Sequence, residues 1–198
     1  MHSFGKISRG LLVAGALLCL LALTGARGQT RDESTQRGRE HLLRLYNTHT
    51  GERLEIVFRR GEQYIPGALA ELDYFLRDHN TGDVRHFDPR LYDILADLTS
   101  SVGQPNGEID IVCGYRTPST NESLRAHTTG VAKNSLHIQA EAIDLRMPGV
   151  DTLTLRRAAL ALHRGGVGYY PHSDFIHVDI GRVRQWCFDC ATRLITGN

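Results

Sequence analysis

Residues 135–144 read Ser135-Leu136-His137-Ile138-Gln139-Ala140-Glu141-Ala142-Ile143-Asp144. A histidine in an irregular stretch is followed, seven residues on, by an aspartate inside a short apolar strand, Ala142 to Met147. Thirty-three residues beyond that aspartate stands His177, within Phe175-Ile176-His177-Val178-Asp179. Side chains alternate along a strand, so His177 and Asp179 share one face and Ile176 and Val178 the other. If the two strands are neighbours, Asp144 and His177 can meet one ion, and His137, delivered by its loop, completes the set. Two imidazoles and one carboxylate with a fourth position open is the arrangement of a catalytic zinc. The chain has ten histidines, and each of the three residues taken singly also fits a satisfied core or surface side chain.

The flanking sequence supplies a frame for this set. Residues 42–60 read as a hairpin, two β-like runs split by Asn47-Thr48-His49-Thr50-Gly51-Glu52. Leu69, Leu72, Phe75 and Leu76 mark one face of a helix that opens near Pro66. Leu91, Ile94, Leu95 and Leu98 mark a second helix, with Asp88 as its cap and Pro89 in its first turn. Glu108 to Tyr115 is a strand, Pro118 to Ala126 a short helix and Asp151 to Arg164 a third long one, with Asp151 as cap. Short strands at 167–170 and 175–180 close the pattern. Helices that precede short, antiparallel-looking strands argue for an α+β fold, a small antiparallel sheet with helices packed on one side.

The 198 residues suffice for one ordinary domain, and 41% hydrophobic with 23% charged residues is a globular composition. Lys6 and Arg9 precede the apolar run Leu11 to Leu23, followed by Thr24-Gly25-Ala26-Arg27-Gly28. This is the charged, apolar, small-residue order of a secretory leader over residues 1–28, short for a membrane span; retention as a single anchor is the alternative. Without Lys6, Arg9 and Arg27 the chain has 20 basic and 22 acidic residues, a balance of −2. No basic footprint for nucleic acid is present. Residues 29–40 are polar and read as a flexible spacer, leaving residues 41–198 as the single domain. Of four cysteines, Cys19 lies in the leader and Cys113 in an apolar stretch, where it reads as a small hydrophobe. Cys187 and Cys190 form a C-x-x-C that admits a local disulfide or inert thiols, half of a metal site, or a redox motif.

The segment Ser135 to Asp144, the preceding Gly114-Tyr115-Arg116 and the later His177-Val178-Asp179 together resemble the D-Ala-D-Ala carboxypeptidase and murein endopeptidase family of zinc peptidases. Its fold is the one shared with the hedgehog signalling domain. The likeness runs from about residue 42 to 186. Gly166-Val167-Gly168-Tyr169-Tyr170-Pro171 and Arg184-Gln185-Trp186 look closest to the branch typified by murein endopeptidase K. One position departs, Ala140 where glycine is usual, a change expected to tighten a turn.

The resemblance implies that His137, Asp144 and His177 hold Zn²⁺ and that a zinc-activated water attacks an amide of peptidoglycan. Many relatives place an acid three residues before the last histidine, which marks Asp174 as the general base; His172 and Asp179 are its rivals. Asp179 also suits the task of orienting a ligand imidazole. The implied role of Arg116 is to stabilise the oxyanion or bind a substrate carboxylate. Ser135 is expected to shape the ligand loop or bond substrate, and Trp186 and Tyr169 to line the cleft or fill the core. The expected substrate is a stem peptide or cross-link, either the D-alanyl–diaminopimelate bond or the link between two diaminopimelates. A zinc-containing binding module without hydrolysis is the alternative. Contact with a membrane is expected only through a retained leader.

Overall fold

The hairpin expected near residue 42 is the edge of a sheet that crosses the whole domain. The computed structural model describes residues 38–188 and Cys190, so the leader, Cys19 and most of the spacer lie outside the described residues. Strand β1 (Glu40–Asn47) pairs antiparallel with β2 (Arg53–Arg60), which pairs with the two-residue β3 (Gln63–Tyr64). Glu40, which the sequence assigns to the spacer, is therefore part of the sheet. On the other side of β1 come β4 (Glu108–Cys113), β5 (Ala142–Arg146), β7 (Phe175–Asp179), β6 (Gly166–Tyr170) and β8 (Arg184–Cys187), in that order.

The α+β class stands, but the sheet is larger than the element pattern implies, with eight strands. It is also mixed, because β1 runs parallel to β4 and β6 runs parallel to β8. Strand β8 escapes the sequence reading because Arg184-Gln185-Trp186-Cys187 has no alternation of apolar and polar residues.

One face of the sheet is apolar. Leu45 lies opposite Ile109, Ile111 opposite Leu145, Leu145 opposite Ile176 and Ile143 opposite Val178, and all seven are buried. Helices α1 (Pro66–Phe75), α2 (Arg90–Ser101) and α4 (Thr152–Ala161) cover this face, with α1 against β2, α2 against β1 and α4 against β6 and β7. Leu72, Leu91, Leu95, Leu98 and Leu155 from these helices are fully buried, each burial worth about 1.5–3 kcal/mol. Pro66 opens α1 as expected, and the Asp151 side chain caps α4 by accepting from Thr154 N at 3.1 Å. Helix α2 begins after Pro89, and Asp88 accepts from Arg90 N at 2.9 Å. Helix α3 (Pro118–His127) lies instead along the cleft on the opposite face, where Thr120 and Leu124 line its wall. No helix among the described residues is long and apolar enough to cross a membrane.

Asp78, fully buried after α1, ties that helix to the segment leading into α3. Its carboxylate accepts from Thr117 N at 2.8 Å, Thr117 Oγ1 at 2.9 Å and Asn80 N at 2.9 Å. Burial pushes this carboxyl up, but bonds from Thr120, Thr117 and Asn80 outweigh it and bring it down to about 2. A carboxylate depressed by folding stabilises above its unfolded value and loses that contribution as pH falls through its folded value. Urea midpoints are therefore expected to fall between pH 4 and pH 2, starting at the ordinary value of 3.8 and ending near the folded value of about 2. Asp78→Asn is expected to be less stable at neutral pH and to lack that part of the acid slope.

Candidate metal centre

The face of the sheet away from α1, α2 and α4 carries one lateral row of side chains. Cys113 on β4 lies opposite Asp144 on β5, Asp144 opposite His177 on β7, His177 opposite Gly168 on β6, and Gly168 opposite Trp186 on β8. Gly168 leaves a gap in the row that the Trp186 indole fills; a Cβ there would overlap the indole. The Trp186 ring thereby reaches within 5.1 Å of the His177 ring, centroid to centroid.

His137 joins the row from above. Residues Leu136–Gln139 form one 3-10 turn whose cap is Ser135, and Ala140 ends it in the left-handed region at φ 56°. A residue with a Cβ costs about 1–2 kcal/mol there, which accounts for the usual glycine. The replacement strains the turn rather than tightening it.

Three atoms converge. His177 Nδ1 lies 2.8 Å from Asp144 Oδ1, His137 Nε2 lies 3.2 Å from the same oxygen, and the two nitrogens are 3.1 Å apart. The far nitrogen of each ring is engaged elsewhere. His137 Nδ1 donates to Gly114 O at 2.8 Å, and His177 Nε2 donates to Asp179 Oδ2 at 3.1 Å. With each ring proton held at the far nitrogen, two lone pairs and a carboxylate oxygen face one another. Such a cluster repels itself unless a cation or shared protons lie among them. Donors at zinc-ligand distances from one tetrahedral ion sit about 3.3 Å apart, close to the edges of this triangle, so the donor set fits the metal.

Charge in the centre follows from burial. Burial pushes the Asp144 carboxyl up, but His137 and His177 outweigh it and hold it well below the usual carboxylate range. Burial also lowers the His137 imidazole. For His177, burial lowers the value, and bonds to Asp144 and Asp179 more than compensate, so it rises. The Cys113 thiol lies within 4.8 Å of the His137 and Asp144 ligand atoms, and burial pushes its pKa up to about 12.

Asp179 is a buried anchor. Besides His177 it accepts from Gly166 N at 2.9 Å, Gly181 N at 2.8 Å, Arg184 Nη1 at 3.0 Å and Arg184 Nη2 at 2.7 Å. Both of its oxygens are occupied, which suits orientation of the imidazole and leaves nothing for a proton from water. Asp174 stands in the turn before β7, in the left-handed region at φ 53°, and its carboxylate accepts from Thr152 Oγ1 at the start of α4. It lines a separate depression with Asp110, Arg146 and Asp151. This placement does not bring Asp174 to the triangle, and His172 is exposed and absent from the cleft wall. We expect Asp174→Asn to keep its turnover within about twofold, since it touches neither the triangle nor the cleft; a tenfold loss in a steady-state peptidase assay would return it to the site.

The triangle opens into a cleft of about 640 Å³. Arg116 follows β4 and is buried against this cleft; its Nη2 donates to Ser135 Oγ at 3.4 Å and its Nε has no partner. No carboxylate pairs with Arg116 among the described residues. Trp186 lines the cleft and donates to the Tyr170 hydroxyl at 3.1 Å, whereas Tyr169 is buried toward α4, with Arg156 5.4 Å above its ring. Tyr170, Phe175, Phe188 and Arg184, to which the motif reading gives no role, also line the wall. The signal for them is Gly166-x-Gly168, a strand face bare of side chains onto which neighbours must fold.

A family model described as peptidoglycan L,D-endopeptidase MepK matches residues 33–186. The chain belongs to the MepK family. It is 45% identical over 145 residues to the probable peptidoglycan L,D-endopeptidase MepK of Haemophilus influenzae, covering 73% of this chain and 78% of that protein. It is 40% identical over 148 residues to the peptidoglycan L,D-endopeptidase MepK of Escherichia coli K12, covering 75% of this chain and 81% of that protein. The Shigella flexneri MepK matches to the same extent. The MepK match takes in His137, Asp144, His177, Arg116 and Asp179, and it ends before Cys187.

Proposed function

We propose that this chain is an exported zinc peptidase that hydrolyses an amide in peptidoglycan cross-links, with His137, Asp144 and His177 as the metal ligands. The observation that carries the reading is the triangle of two imidazole nitrogens and one carboxylate oxygen, with edges of 2.8, 3.1 and 3.2 Å, at the floor of an open cleft. Zinc bound there supplies Lewis acidity and lowers the pKa of a water toward neutrality. Gly114 O and Asp179 fix the two imidazole tautomers so that each ring presents a lone pair. Asp144 stays ionised throughout the neutral range. Arg116, a buried cation without a carboxylate partner, is left to meet negative charge on the substrate, either a carboxylate or the oxygen that becomes anionic during attack.

The relatives are named L,D-endopeptidases, and an L,D bond joins an L-centre carbonyl to a D-centre nitrogen. Of the two cross-links expected from sequence, the one between two diaminopimelates has that stereochemistry. A substrate outside the cytoplasm agrees with the leader expected over residues 1–28, the spacer over 29–40 and a single domain over 41–198, and supports a periplasmic location.

One observation favours the second reading, a zinc-containing binding module: Asp144 is the sole carboxylate among the described residues lining the cleft. Metal content of the purified protein, followed by incubation with cross-linked muropeptides, decides between them. One zinc per chain, chelator-sensitive cleavage and product masses matching the diaminopimelate link support the enzyme. One zinc with no cleavage supports the module, and no zinc overturns the ligand assignment.

A further inference from the structure

The C-x-x-C motif lies beyond the family match and has no part in the metal centre. In the fold Cys187 and Cys190 are joined as a disulfide, and both pack against the hydrophobic core. Cys187 is the last residue of β8, and Phe188 continues that strand by donating its N–H to Tyr169 O at 2.9 Å. The disulfide therefore ties the residue before Phe188 to the residue two positions beyond it.

The Phe188 ring lines the cleft. Its centroid is 5.7 Å from that of Tyr170, and Tyr170 stacks on Phe175 at 4.4 Å. The other side of the ring meets the loop after α3 at Gly130, where a Cβ would overlap three of the ring carbons and where φ is +84°. Phe188, Gly130, Tyr170 and Phe175 all line the same cleft as the triangle. Through Tyr170 and its bond from Trp186 the aromatic surface runs continuously to His177.

We propose that Phe188, locked by the Cys187–Cys190 disulfide, is a specificity-determining residue that closes one end of the cleft and holds the aliphatic side of the cross-link peptide. Rigid aromatic rings bind methyl and methylene groups with little entropic cost, and a covalent tether removes most of what remains. Contacts of this kind are equal in bound substrate and transition state, so they act on KM and leave kcat alone. The inference rests on the peptidase reading, and oxidised wild-type protein with cleavage of cross-linked muropeptides is its baseline.

Steady-state constants for wild type, Phe188→Ala, Phe188→Tyr, the Cys187→Ser/Cys190→Ser pair and the triple variant test it, with zinc content measured for each. Phe188→Ala is expected to raise KM about tenfold with kcat within about twofold and zinc unchanged. Phe188→Tyr is expected to restore KM, since the ring returns. Removing the disulfide is expected to raise KM by a similar factor, and the triple variant to be no worse than Phe188→Ala, because both changes remove one device. An unchanged KM in Phe188→Ala, or additive effects in the triple variant, would overturn the inference while the active wild type leaves the peptidase reading intact. A zinc-loaded wild type that cleaves nothing would instead sink the peptidase reading.

Discussion

His137→Ala is expected to bind less than a tenth of the zinc of wild type and to lose hydrolysis by at least about a thousandfold. The substitution removes one corner of a three-donor set whose members lie within 3.2 Å of one another. The Cys113 thiol is the nearest substitute in space, within 4.8 Å of the His137 and Asp144 ligand atoms, so zinc content is also measured in His137→Ala/Cys113→Ser. Metal analysis by mass spectrometry, with circular dichroism to confirm folding, reads the result. A companion measurement separates metal loss from general damage. A ligand that binds only the folded state raises the melting temperature in proportion to its binding free energy. Chelation should therefore lower the melting temperature of wild type and leave that of His137→Ala unmoved. A variant that keeps stoichiometric zinc would remove His137 from the ligand set.

Arg116→Ala carries the second-largest effect, a loss in kcat/KM of about 100- to 1,000-fold with zinc retained. Its guanidinium is buried beside the cleft, bonded only to Ser135 Oγ through the side chain, with Nε free. A buried cation without a carboxylate partner is costly in the free protein, and the cost is offset when substrate brings the anion. How the loss divides between the constants assigns the task. A fall in kcat at constant KM identifies the developing oxyanion, and a rise in KM at constant kcat identifies a ground-state carboxylate. Lysine is expected to restore little, because a point charge cannot reproduce the planar fork. Full activity in Arg116→Ala would place this residue outside the reaction.

Much of the centre was legible because it obeys short-range rules. Strand alternation alone places His177 and Asp179 together, and the fold adds that Asp179 holds the far nitrogen of His177. No such rule reaches Asp174, which lies outside β7 in a left-handed turn, so its bond from Thr152 depends on where α4 begins. The glycine expected at 140 reports a left-handed residue, which Ala140 adopts at φ 56°. What was not legible depends on pairings between distant segments. Strand β1 meets β4 in parallel across some sixty residues, and β8 is recruited beside β6 with no alternation of its own. Local patterns specify elements, whereas partner choice is decided by which faces can be buried together.

The bare face of β6 has a consequence for how this protein tolerates change. At Gly166 any side chain would collide with Arg184 and the Asp179 carboxylate, and at Gly168 with the indole of Trp186. Two residues with no functional group thus occupy the space on which the anchor of His177 and the cleft wall both depend. In a saturation library selected for cell-wall cleavage, these two positions should be as depleted of variants as His137, Asp144 and His177. A map of intolerance drawn from such a library would mark β6 as catalytic, although its contribution is room for its neighbours.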